Sequence, residues 1–516
     1  MHAEVLTLRK EFMNLEWRGA THNRPFLASC ECLRRRGGVV PFFRTAKPGS
    51  SLKPENGLTN PSEIVTPHIA DQLAEYAASL RYDDLDSATT ESVKVLLIDS
   101  IGCAIAAHGE PMMERCRALS AGIGGQSTVI GTSHRTTMDL AAFVNGGAIR
   151  YYDMNDAYSG PGDPGHPSGV ISACLAAAES QRASGTELLA SIALAFEVNC
   201  RILDGSQLIP NGWDNTLPSS PAAAVAAGKL LGLDQRELTH AINLALISHL
   251  PTFQTRVQTL SDWKGLADAQ AARNGVFAAQ LAQQGITGPA PIFEGTCGLF
   301  RQLGFQFDMA INDFGGRSGK FKVNETRIKP YAAEFFSLTA IKAAVELAPL
   351  IDDLDNIREI QVDTSALGYK YLAQEPEKWH PRTRDAADHS MPFIVARAIV
   401  DGTITPDSYA PAAIDDPRVR MLMPKVIVRE DPQFSAMYPA KSPNRVIVRR
   451  ADGSSIESQV DDFPAFPSRA ELEQKFHSNV RRHWTDDQCS RALDGLWRLD
   501  QSEDISDVFS LLLVER

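Results

Sequence analysis

The chain has 516 residues, of which 43% are hydrophobic and 22% charged, with a formal net charge of -12. Such a composition buries a large core in two to four domains and excludes a wholly disordered chain, a collagen and a small disulfide scaffold. The charge excludes a general basic surface for nucleic acid, and the longest charge-free runs, 238–255 and 274–293, are too diluted by His, Asn, Gln, Gly and Pro to span a membrane.

Residues 1–61 read as a basic N-terminal extension. Within 1–53 there are ten Lys/Arg against four Glu and no Asp. An Arg-rich, acid-poor start can be a mitochondrial transit peptide, and a disordered extension or a misplaced start codon is the alternative. The protein is expected in the mitochondrial matrix if the segment is a transit peptide, and in the cytoplasm otherwise.

From Ile64 the pattern is helical. Ile69, Leu73, Ala77 and Leu80 recur at three- and four-residue steps. A second helix follows Asp86-Ser87 and runs through Val93, Leu96, Leu97 and Ile101, interrupted by the charges of Lys94 and Asp99. Further helices are predicted over 137–145, 168–184, 187–203, 221–231, 235–250 and 266–284, with Ser168 as a cap. Ala-rich helices joined by short loops predict an all-α domain over 62–318. Short β-like runs then appear at 357–362, 425–429, 444–450 and 454–460, with Ala451-Asp452-Gly453 as a hairpin turn. Helices at 337–348 and 391–401 interleave, which predicts an α+β domain over 319–464. From Ser468 the pattern is helical again, and 465–516 is expected to rejoin the first domain. The fold class is mainly α: an all-helical domain closed by the C-terminal tail, with an inserted α+β lid.

Eight cysteines are present without a CxxC, so neither a zinc knuckle nor an iron–sulfur signature is apparent. Cys103, Cys174 and Cys200 lie among Ala, Ile and Leu and read as small core residues. A reducing compartment fits this usage.

Four segments carry candidate chemistry. The first joins two apolar helices through Asp153, Asp156 and a Gly/Pro-rich loop to His166. Four Gly and three Pro between 160 and 169 forbid a helix there. A lone loop histidine is usually just solvated, but His166 lies beside two aspartates and a helix start, whose dipole suits a neutral base. The second segment, Thr255-Arg256 to Lys264-Gly265, sets a lysine at the start of a long helix. A cation there is unfavourable unless something anionic faces it. The third, Arg327 to Phe335, carries Lys329 before a proline, on extended backbone. In the fourth, Ala386 to Ser390, Asp388 or Ser390 as an N-cap is a sufficient structural account.

These stretches, with Val95-Leu-Leu-Ile-Asp-Ser-Ile-Gly102, Ala142-Phe-Val-Asn-Gly146, His166-Pro-Ser-Gly, Ala227-Gly-Lys-Leu-Leu-Gly-Leu233, Ser261-Asp-Trp-Lys-Gly265 and Lys329-Pro-Tyr-Ala-Ala-Glu-Phe335, make the chain resemble the MmgE/PrpD family over about residues 64–516. Members of that family include 2-methylcitrate dehydratases and cis-aconitate decarboxylases. The resemblance implies a helical domain with an inserted lid, an active site between them, a homodimer and a small tricarboxylate substrate. It implies Asp153, His166, Lys264 and Lys329 as catalytic residues. Tyr369 falls where decarboxylases place a lid tyrosine. Asp214, in Gly212-Trp213-Asp214-Asn215, stands where decarboxylases have a histidine and is similar to the dehydratase branch, as is the 375–390 stretch with His389. Ala157 departs from relatives with a hydroxyl residue at that position.

The resulting expectation is a hydro-lyase that dehydrates 2-methylcitrate, or a close citrate-like acid, to 2-methylaconitate in propionate catabolism. Asp214, Tyr369, Arg327 and His389 are the expected substrate-binding residues. Elimination builds negative charge on a carboxylate, which Lys264, Lys329 and Arg327 would stabilise. His166 would take the proton, and Asp153 would orient it or serve as the acid. With no cysteine cluster, chemistry without metal or cofactor is expected. The alternatives are a cis-aconitate decarboxylase that makes itaconate, and a catalytically silent family member, which Ala157 favours.

Overall fold

The structure, a computed structural model, describes residues 67–514, so the expected transit peptide lies outside the described residues. Several helices begin where the sequence offers a side-chain acceptor to the first unpaired amides. Asp86 accepts from the Thr89 amide ahead of Ser87–Ala106. Ser184, Asp234 and Ser468 each form a reciprocal box with a glutamate three residues on, opening Gly185–Gly205, Gln235–Ile247 and Arg469–Val480. Ser168 departs from this pattern. Pro167–Val170 is a 3-10 turn, the helix proper runs Ile171–Gln181, and the Ser168 hydroxyl donates to Asp156.

Trp263–Gln283 is the axis of the first hydrophobic core and packs against Met138–Arg150, Ser219–Leu230 and Gln235–Ile247. Small residues allow that approach. A Cβ at Gly275 would lie 2.4 Å from the Ser220 carbonyl oxygen and 2.6 Å from Ala223 Cβ. Gly275→Ala is therefore expected to cost about 1–3 kcal/mol by forcing the helices apart. Thermal unfolding reads this as a lowered midpoint; an unchanged midpoint would mean that the helices part freely.

Lys94 and Asp99 are buried, and each meets an opposite charge from the C-terminal helices. Lys94 Nζ lies 2.6 Å from Asp500 Oδ1 and donates to the Trp497 carbonyl at 3.0 Å, while Asp99 Oδ1 lies 2.5 Å from Lys475 Nζ. The two pairs clip Arg469–Val480 and Asp486–Trp497 to Ser87–Ala106. Leu472, Phe476 and Leu496 accordingly join the same apolar core as Leu73, Leu96 and Leu194.

A second core is built on a four-stranded sheet with the order Val426–Glu430, Ile357–Thr364, Asn444–Arg450, Ser455–Val460. Ile357–Thr364 runs parallel to the first strand and antiparallel to Asn444–Arg450, whose hairpin partner is Ser455–Val460. Leu338–Leu347 covers this sheet and packs against Met391–Asp401. Tyr152 and Met154, just past the end of Met138–Arg150, enter this second core. The chain is mainly α. Among the described residues no single helix is long and apolar enough to cross a membrane.

One element has no counterpart in the sequence reading. Asp156–Ser159 forms a strand between Pro164–Gly165 and Arg327–Ile328. Asp156 faces Ile328, and Tyr158 faces Gly165. This small sheet sets the loop carrying Asp153 and His166 beside Lys329.

Candidate active site

Asp153 sits at the centre of a buried charge network. Its backbone is left-handed, with φ 51°, a conformation that aspartate tolerates better than most residues. The turn aims its carboxylate inward. Arg150 Nη1 lies 2.9 Å from Oδ1, Lys329 Nζ 2.8 Å from the same oxygen and Lys264 Nζ 3.2 Å from Oδ2. Burial alone would raise this carboxyl group's pKa. The ammonium groups of Lys264 and Lys329 and the Arg150 guanidinium reverse that and hold it well below its ordinary range. Arg150 is tied in turn to Asp268 at 2.9 Å and donates to Asn155 at 2.6 Å.

Lys264, in the first turn of Trp263–Gln283, meets the anionic partners that its position demands. Its ammonium lies 3.2 Å from both Asp153 Oδ2 and Asp388 Oδ2. Lys329 Nζ donates to Asp153 Oδ1, the Asp153 carbonyl and the Ala333 carbonyl at 2.8, 2.9 and 3.1 Å, which engages all three of its protons. Both lysines thus brace Asp153. Asp153, Asp388 and His389 also bring ligand atoms within 4.8 Å of one another, as a metal site would. Lys264 already seats a cation between the two carboxylates.

Two imidazoles face one cavity of about 90 Å³, which is also lined by Asp153, Lys329, Arg256 and Glu334. His166 Nδ1 lies 2.8 Å from the Asp156 carbonyl. A carbonyl only accepts, so Nδ1 carries the proton and Nε2 keeps its lone pair. Burial, then the Arg150 and Lys329 cations, hold the His166 pKa well below its ordinary value. His389 Nδ1 lies 2.6 Å from Asp388 Oδ1, which fixes the same tautomer. Burial and the Lys264 charge bring the His389 pKa down to about 4. Both rings are neutral at physiological pH. Asp388 is not a helix cap: it takes Lys264 and His389, and the capping falls to Ser390.

Three residues expected to bind substrate are placed differently. Arg327 Nη1 pairs with Asp462 at 2.8 Å and does not line this cavity. Arg327→Ala is expected to change kcat/KM less than about threefold, since a half-exposed pair contributes about 0–1 kcal/mol. A tenfold loss in a steady-state assay would return Arg327 to the site. Tyr369 lies on Ala366–Leu372, but Tyr371 lines the cavity; two residues on a helix is roughly 200° of rotation. Asp214 is fully buried behind the cavity wall, where it accepts from Arg256 Nε at 3.0 Å and Nη2 at 3.1 Å. Arg256 itself faces the cavity, with donors left over for a carboxylate.

Arg256, Asn215, Glu334 and Tyr371 are cavity residues that the sequence reading did not assign. Arg256 and Glu334 lie within stretches it singled out. Ala157 also lines the cavity, as an apolar patch.

A cavity lined by two oriented neutral imidazoles, a carboxyl group and anchored cations is suited to exchanging protons with a small anionic molecule. The chain belongs to the MmgE/PrpD family: residues 71–312 match the MmgE/PrpD N-terminal domain and 331–499 the C-terminal domain. It is 25% identical over 481 residues to the cis-aconitate decarboxylase-like protein oryM of Aspergillus oryzae, covering 86% of this chain and 97% of that protein. It is 25% identical over 458 residues to the 2-methylcitrate dehydratase of Salmonella typhimurium, covering 80% and 91%. The mitochondrial 2-methylcitrate dehydratase of Yarrowia lipolytica is 24% identical over 481 residues, covering 86% and 89%.

Proposed function

We propose that the protein is a hydro-lyase that removes water from 2-methylcitrate, or a close citrate-like acid, to give 2-methylaconitate in propionate catabolism. The observation that carries this reading is the His166 tautomer: the Asp156 carbonyl holds Nδ1, so a basic Nε2 faces the cavity beside the Lys329–Asp153 pair. His166 takes the proton next to a substrate carboxylate. Arg256, anchored by Asp214, receives that carboxylate and stabilises the charge that builds on it. His389, oriented by Asp388, accepts from a substrate hydroxyl. Asp153 is held ionised by three cations, which favours a bracing role over that of the acid. Lys264 and Lys329 fix this frame. The proposed chemistry uses neither metal nor cofactor, and the protein acts as a homodimer. A matrix location goes with residues 1–61 as a transit peptide, in keeping with the name of the Yarrowia lipolytica relative.

The names of the relatives also favour a second reading, decarboxylation of cis-aconitate to itaconate. Proton NMR of the full-length protein with each acid separates the two. 2-Methylaconitate from 2-methylcitrate supports the hydro-lyase. Itaconate from cis-aconitate replaces it with the decarboxylase, and two unchanged spectra favour another small acid or a catalytically silent member.

A further inference from the structure

Elimination needs an acid as well as a base, and the residues assigned so far supply none. Asp153 is ionised, and both imidazoles present lone pairs. We propose that Glu334 is the general acid, and that its carboxyl group protonates the departing hydroxyl so that it leaves as water. The proposal rests on the hydro-lyase reading above.

The geometry separates the two oxygens of this carboxyl group. Oε2 accepts from the Phe336 amide at 2.7 Å, at the start of the turn Phe335–Ser337. The Glu334 amide donates to the Asp388 carbonyl at 3.1 Å, which fixes the backbone beneath. Oε1 has no hydrogen-bond partner among the described residues, and the side chain lines the same cavity as His166, His389 and Lys329. A carboxyl group held by one oxygen offers the other to a ligand.

Its surroundings raise its pKa to near neutrality, where a substantial fraction is protonated. Burial raises its pKa most. Lys329 and Lys264 draw it down, Asp153 pushes it up, and the balance stands at about 7. Lys378, Tyr371 and Tyr438 are the other titratable groups that feel its charge. Tyr371, pushed up to about 12, is a far weaker acid. A catalytic acid works best when its pKa lies near the working pH.

The step balances without a redox partner. His166 Nε2 takes the carbon-bound proton, and the C–H pair becomes the new C=C bond. The C–O pair leaves with the hydroxyl oxygen, which takes the proton from Glu334 Oε1. One water is released, Glu334 is left as a carboxylate near the Lys329 ammonium, and His166 is left as an imidazolium. Proton exchange with solvent resets both.

The test uses full-length wild type and Glu334→Gln, with 2-methylcitrate and with its analogue bearing fluoride in place of the hydroxyl. Glutamine keeps the acceptor for the Phe336 amide but has no proton to transfer. The expected result is a kcat on the hydroxy acid lower by about 10²–10⁴-fold, with KM within about threefold. The fluoride analogue leaves with little help, so its rate should fall less than about fivefold. Wild-type kcat/KM should decline as pH rises through about 7, where Glu334 loses its proton, and this limb should vanish in the variant. Glu334→Asp, which keeps an acid on a shorter arm, should retain the limb at reduced kcat, and it serves equally if the glutamine variant fails to fold. Equal loss on both substrates, or wild-type kcat in Glu334→Gln, overturns the acid role while leaving the hydro-lyase standing. A wild type inert to both acids overturns the hydro-lyase reading and the acid role together.

Discussion

Lys264→Ala is expected to lose about 10²–10⁴-fold in kcat/KM for 2-methylcitrate and to unfold at a markedly lower temperature. The side chain is 3% exposed and separates the carboxylates of Asp153 and Asp388. Its removal leaves two buried like charges facing each other, and breaking a buried pair costs about 3–5 kcal/mol. The pH dependence follows from the sign of the Asp153 shift. A carboxyl group depressed in the folded state adds stability above its unfolded pKa of about 4, and that gain fades as pH falls through the folded value. Without Lys264 the depression shrinks, so the variant should lose less stability on acidification than the wild type. His389, freed of the adjacent ammonium, should also titrate above its present value of about 4 and shift the acid limb of any residual activity upward. Urea midpoints at neutral and acid pH, together with a kcat/KM profile, check all three effects. Wild-type kcat/KM in this variant would remove Lys264 from the site.

His166→Gln should lower kcat by about 10²–10⁴-fold while the protein stays folded, because the substitution breaks little more than the hydrogen bond from Nδ1 to one loop carbonyl. The wild-type profile is the sharper measurement. The base must be neutral to act. Burial, reinforced by Arg150 and Lys329, holds the His166 pKa well below 6.5, so kcat/KM should not fall as pH falls through 6.5 and should drop only well below it. An acid limb at 6.5 or higher in the wild type would exclude His166 as described.

Helices and the four-stranded sheet were legible in the sequence because their periods repeat over many residues. Leu73 and Ala77 are buried on one helix face with Ile69 packed partly buried beside them, and the hairpin turn at 451–453 separates an apolar strand from an alternating one. Asp156–Ser159 was not legible, since a four-residue strand among glycines and prolines has no period to detect, and its partner Arg327–Ile328 lies far along the chain. The same limit governs the site. His166, Asp153, Lys329 and His389 do line one cavity, where residue type and motif position pointed. Depth and rotation are invisible to spacing. Asp214 stands one layer behind Arg256, Tyr369 faces away where Tyr371 faces in, and Arg327 is taken by Asp462, all through interactions between distant segments.

The Asp153 carboxylate collects Arg150 and Lys264 from the helical core and Lys329 from just past the strand Arg327–Ile328, while Lys264 also holds Asp388 from the connection between two strands of the four-stranded sheet. The charge balance therefore belongs to no contiguous piece of chain. A chimera that joins the first half of one relative to the second half of another is left with an unpaired buried charge unless these positions, and Asp268 behind Arg150, all agree. Natural recombination within such a sequence is penalised at every crossover between residues 150 and 388, and drift at any one of these positions is coupled to the others. Substrate preference is then freer to change through Ala157, Tyr371 and Phe253, which touch the cavity without taking part in that balance.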